Sequence, residues 1–109
     1  MIRNFTPHPV VVYGENGNII TTIEPEGVQV RINEETTTQP EIEGIPVVRK
    51  AYTDISGLPE QKEDVWIVVS VLVIQASDRT DLVCPDTGPE SAVRNDKGHI
   101  LGVKRFQKK

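Results

Sequence analysis

Apolar residues along this chain come in short bursts separated by turn-forming residues, and the bursts are rich in Val and Ile. β-Branched side chains favour extended backbone, so the pattern predicts strands. Ile2 to Phe5 opens the series. Thr6-Pro7-His8-Pro9 interrupts it, because neither proline can donate to a ladder. Val10 to Tyr13 and Ile19 to Ile23 flank Gly14-Glu15-Asn16-Gly17-Asn18, whose Asn-Gly suits the positive-φ positions of a tight hairpin turn. Val28, Val30 and Ile32 alternate with polar residues, the signature of a strand with one buried face. The stretch 33–44 is polar, rich in Thr and Glu and contains Pro40; without apolar alternation it is expected to be a mobile loop. Ile45 to Tyr52 reads as the next strand, with Ser56-Gly57-Leu58-Pro59 as a turn after it.

The longest apolar run is Val65 to Ala76. It is too β-branched for one helix and too long for a typical strand, so a split is expected: strand to Val69, Ser70 as an N-cap, then a short helix to Ala76. Leu82-Val83-Cys84 is a short strand ending at Pro85. Thr87 and Ser91 are placed to cap one helical turn from Pro89 to Val93, since proline suits a first turn. Asn95-Asp96-Lys97-Gly98-His99 is a second hairpin signal, leading into a terminal strand from Ile100 to Phe106, with residues 107–109 expected as a frayed tail. The elements sum to a single β-rich α+β domain over residues 1–109. Its expected form is a small antiparallel sheet, sandwich or partly open barrel of about six or seven short strands, with one or two brief helices in the second half.

Charge changes the picture in one respect. The net charge is −4, which argues against general affinity for long nucleic acids. Yet the last nineteen residues carry Arg94, Lys97, Lys104, Arg105, Lys108 and Lys109 against Asp96 alone. A basic C-terminal edge on an acidic body either solvates a strand end or forms a local site for a compact anion. No apolar run reaches the roughly 18 residues that span a bilayer, and Met1 to Asn4 lacks the apolar region of a secretory signal, so a cytoplasmic location without membrane contact is expected.

Catalytic chemistry finds little support. Cys84, the single cysteine, sits among apolar residues and is expected to pack as a small hydrophobe. His8 and His99 share no metal-ligand spacing, and no glycine-rich phosphate loop occurs, so neither a metal nor a cofactor is expected. Binding has better candidates. Asp78-Arg79-Thr80-Asp81 and Pro85-Asp86-Thr87-Gly88-Pro89 flank one short strand, placing an Arg fork near turn N–H groups that favour anions. Arg94 and Arg105 could converge on that point, and His8, held between prolines, could stack on a base. His8, Arg79, Asp81, Asp86, Thr87, Ser91, Arg94 and Arg105 are therefore the candidate ligand-binding residues. The bland alternative is Arg79 pinning a turn through Asp81 or Asp86, and His8 tying strand ends together.

Asn4-Phe5-Thr6-Pro7-His8-Pro9-Val10, Val68 to Ala76, Arg79-Thr80-Asp81-Leu82, Pro85 to Pro89 and Val93 to Val103 together resemble a family of short proteins of phages, prophages and bacterial chromosomes. The family's usual Leu before Thr-Pro-His-Pro is Phe5 here, which keeps an apolar side chain. That family carries no established activity, so the resemblance transfers no functional residue. By analogy alone, the chain is similar in size and in its lack of catalytic motifs to phage anti-defence sponges, which sequester cyclic or ADP-ribose-type nucleotide signals. The leading expectation is a non-enzymatic, homo-oligomeric binding protein taking a small nucleotide-type ligand. The alternative is a structural or protein-interaction module of phage or prophage origin acting through strand-edge pairing along Val28–Ile32 or Ile100–Phe106. A hydrolase using Cys84 or His8 is a distant third.

Overall fold

Ten strands and one helix are laid out in a computed structural model that describes residues 1–109. β1 (Ile2–Asn4), β2 (Val10–Tyr13) and β3 (Ile19–Ile23) open the chain; β4 (Arg31–Ile42) and β5 (Ile45–Ser56) follow as one long hairpin. The second half holds β6 (Trp66–Val68), α1 (Val71–Ala76), β7 (Leu82–Pro85), β8 (Ala92–Arg94), β9 (Ile100–Val103) and β10 (Phe106–Gln107). The expected β-rich α+β class holds, with ten strands rather than six or seven, parallel as well as antiparallel pairs in both four-stranded sheets, and no closed barrel.

The strands form two four-stranded sheets, in the orders β1-β6-β7-β10 and β3-β2-β9-β8, and a separate two-stranded β4–β5 ribbon. β6 runs parallel to both of its neighbours, Ile67 opposite Arg3 and Leu82, and Val68 opposite Asn4 and Val83. A strand covered on both faces needs apolar residues at successive positions, which explains the unbroken run. On one face of this sheet Ile67, Leu82 and Cys84 pack with Phe5, Val69 and the helix residues Val73 and Ile74. On the other, Val68 and Val83 meet Val10 of the second sheet. The split at Ser70 is as expected: its side chain accepts a hydrogen bond from the Val73 N–H and opens α1.

Both Asn-Gly-type hairpins form. Gly14 N–H donates to Asn18 C=O between β2 and β3, and the Asn95 side chain accepts from the N–H groups of Lys97 and His99 between β8 and β9. Gly102 marks the contact between β9 and β2, where a Cβ would collide with the Val11 carbonyl and the Tyr13 ring.

Four local expectations change. The stretch 33–44 is no loop: residues 31–42 are β4, paired antiparallel with β5 from Arg31↔Ser56 out to Ile42↔Ile45. The ladder is supplied by β5 and by three β-branched threonines, so no buried face is needed to make it, and apolar alternation is absent. A two-residue turn closes it, with Glu43 at φ 51° and Gly44 at φ 80°, the type I′ geometry of tight hairpins. The strand expected from Val28 begins only at Arg31, because Val28 to Val30 run past Gly57 without laddering. The helical turn expected at Pro89–Val93 is only a hydrogen-bonded turn over Pro89–Ser91, closed by the Ser91 and Ala92 N–H groups on the Gly88 carbonyl, and Ala92 and Val93 belong to β8. The tail 107–109 is docked rather than frayed: Gln107 pairs with Cys84 in β7, Lys108 Nζ lies 4.9 Å from the centre of the Trp66 ring, and Lys109 Nζ donates to the Ser77 carbonyl at 3.0 Å.

Candidate functional site

The chain crosses between the two sheets at two places, and most of the candidate residues lie there. The first crossing is Thr6-Pro7-His8-Pro9, between β1 and β2. Asn4, fully buried, fastens it: Nδ2 donates to the carbonyls of His8 and Ile23, at 2.8 and 2.9 Å, while Oδ1 accepts from the Thr6 N–H and hydroxyl. The prolines suit a segment whose backbone must leave one ladder and join another, where missing donors cost nothing. Sequence reading passed over Asn4. Its one signal is a polar residue amid Ile2, Phe5 and the proline pair.

The second crossing runs from β7 to β8 and back from β9 to β10. Asp86 holds it with two bonds, Oδ1 accepting from the Gly88 N–H at 3.0 Å and Oδ2 from Arg105 Nε at 2.6 Å. The Arg105 guanidinium, helped by the Gly88 N–H, holds the Asp86 carboxyl below the ordinary carboxylate range. Ser91 is completely buried, and its hydroxyl accepts from the N–H groups of Lys104 and Arg105. These three residues are the fasteners of a corner. The short turn at Pro89–Ser91 offers no helix N-terminus for an anion.

Arg79 and Asp81 lie elsewhere, between α1 and β7. Arg79 grips Asp81 in a two-bond fork, Nε–Oδ1 at 2.9 Å and Nη2–Oδ2 at 2.6 Å, and its Nη1 donates to the Pro59 carbonyl at 2.7 Å. Asp81 is buried, so the fork neutralises a carboxylate that would otherwise sit unpaired in the interior. Arg94 donates to the Gly98 carbonyl across its own hairpin. Each of the three candidate arginines is thus occupied by an internal acceptor, and the three do not converge.

His8 and Thr87 do come together. They line a cleft of about 250 Å³ between the crossings, walled by Pro9, Val10, Pro85 and Ile100 to Val103. A larger hollow of about 450 Å³ lies on the other side of Thr6 and Pro7, against Val28–Val30 and Val73, without a charged side chain. Cys84 is buried in the core; burial pushes its thiol pKa up while a bond from the Gln107 amide partly opposes the rise. A neutral, covered thiol is no nucleophile.

The largest exposed feature is the β4–β5 hairpin. Only its base packs on the body, through Ile32 and Ile55. Farther out, Tyr52 and Val48 are exposed, as are Ile42 and Ile45 on either side of the turn. Ile-Glu-Gly-Ile between two extended runs was the available signal for this hairpin. Where the two chain ends meet, Ile2, Trp66, Val83, Phe106 and Lys108 surround an apolar hollow of about 330 Å³. No helix is long and apolar enough to cross a membrane. No protein-family model, curated protein or solved structure matches the chain.

Proposed function

We propose that this chain is a non-enzymatic protein-interaction module whose working part is the β4–β5 arm. The observation that supports this reading is a hairpin of two twelve-residue strands that packs on the core only at its base, through Ile32 and Ile55. A lone two-stranded ribbon is marginally stable in water, and burial against a partner is the ordinary remedy. The arm replaces the edges along Val28–Ile32 and Ile100–Phe106 as the recognition element, since Val28–Val30 form no ladder and β9 lies between β2 and β8, with Gly102 pressed against β2. Joining Ile32 to Ile55 through Asn-Gly removes the arm while keeping its base. The shortened chain is expected to melt cooperatively within a few degrees of the full chain. A shortened chain that cannot fold would make the arm part of the folding unit and sink the reading.

A second reading, sequestration of a small nucleotide-type ligand, draws on the shared cleft of His8 and Thr87. At about 250 Å³ the cleft has room for a single base rather than a dinucleotide and is small for a ligand site. Native mass spectrometry against cyclic and linear nucleotides tests it: a bound mass that disappears in His8→Ala supports it, and a bare protein throughout ends it.

A further inference from the structure

The arm's tip and the hollow beside Trp66 have complementary chemistry. From Gln39 to Val48 the only charged residues are Glu41 and Glu43, and they flank Ile42, which with Ile45 forms an exposed apolar end, 61% and 62% accessible. The hollow presents the inverse: an apolar floor of Ile2, Trp66, Val83 and Phe106, with the Lys108 ammonium over the indole. The floor is the part of the first sheet's face that the second sheet leaves uncovered. Trp66 is 40% exposed and Ile2 43%, a large apolar pair on a surface where such pairs mark contact sites.

The chain as a whole exposes more surface than a compact fold would. The chain exposes 7781 Å², whereas a compact monomer of this mass exposes about 6,000 Å². The surplus is about twice the ~800 Å² that each member of an ordinary protein complex covers.

We propose that the acidic, apolar arm tip of one copy seats in the Trp66 hollow of a second copy, Lys108 facing Glu41 and Glu43. This inference rests on the reading of the arm as a binding element and adds the identity of its partner. Tip and hollow are different surfaces, so the contact is head-to-tail: every copy has one free tip and one free hollow, and assembly continues into rings or open chains.

Trp66 is the only tryptophan and reports directly on occupancy of the hollow. Sedimentation velocity and tryptophan emission are measured on the full chain from about 1 to 500 µM, a range suited to a small interface. Larger species and a blue shift are expected to grow together with concentration. Ile42→Asp with Ile45→Asp blocks the tip, and Ile2→Asp with Lys108→Glu blocks the hollow; all four positions are exposed, so the fold is preserved. Each blocked chain alone is expected to remain monomeric, with association weakened at least tenfold. Mixed one to one, the two chains retain one working tip and one working hollow between them, and are expected to stop at a heterodimer. A wild type that stays monomeric at 500 µM overturns the proposal while leaving the arm's independence from the fold untouched. So does an arm-to-arm dimer, recognised by a hollow-blocked chain that assembles normally and a mixture that gains nothing.

Discussion

Arg79 and Asp86 make the same kind of bond with different consequences, because one partner is buried and the other pair faces water. Removing the Arg79 side chain leaves Asp81 charged and uncompensated in the interior, a loss of roughly 3 kcal/mol. Arg79→Ala is therefore expected to lower the melting temperature by roughly 10–20 °C, whereas Arg94→Ala, which frees only an exposed hairpin carbonyl, stays within about 3 °C. Equal, small shifts in calorimetry would show that Arg79 is available for a ligand after all. The Asp86–Arg105 pair is legible through pH instead. Its carboxyl titrates below the usual 3.8 in the folded chain, so the bond's contribution is complete above that value and disappears as pH falls through the lowered one. The melting-temperature difference between wild type and Asp86→Asn is expected to be positive at pH 7 and to shrink progressively as pH falls below 3.8. A difference that does not change with pH would assign the loss to packing.

At the level of elements, apolar patterning located what burial dictates and missed what it does not. The core run, its break at Ser70 and both Asn-Gly hairpins were legible because each follows from a local rule of side-chain burial, capping or turn geometry. The arm was not, since a ribbon exposed on both faces has no period to detect. The roles of Asn4, Asp86, Ser91 and Arg105 are not legible locally because the bonds that join the sheets reach across the sequence, Asn4 to Ile23 and Asp86 to Arg105: nothing local reveals that Ser91 lies under the Lys104–Arg105 corner. The same lack of a covered face dictates the arm's dynamics. Its amides are held by ribbon bonds alone beyond Ile32 and Ile55, and such bonds open locally with little free energy. Hydrogen exchange at a few micromolar is expected to show amides from Thr36 to Lys50 exchanging at least a hundredfold faster than those of Ile67, Val68 and Val83. Uniform protection across both groups would mean that the arm is stabilised within the monomer.

The whole molecule is shaped by that one element. Its Cα radius of gyration is 16.8 Å and its principal extents are 51 × 38 × 22 Å, whereas a compact chain of this length has a radius near 13 Å. A twelve-residue strand spans about 40 Å, so a ribbon anchored only at its base is enough to account for the long axis. Two forces act on it in solution. Collapse onto the body would cover Val48, Tyr52, Ile42 and Ile45, but would also take a ribbon rich in Glu and Thr out of water. The antiparallel ladder, irregular at Asn33/Glu34 and Gln39/Ile42, and the type I′ turn hold the two strands together, and Ile32 and Ile55 anchor the base to the core. Small-angle scattering of dilute protein is expected to give a radius near 17 Å, with the shortened chain falling toward about 12 Å. The ratio between the two curves isolates the arm, because the body is common to both. A full-length value near 13 Å would mean that the ribbon lies back on its own domain, hiding the tip.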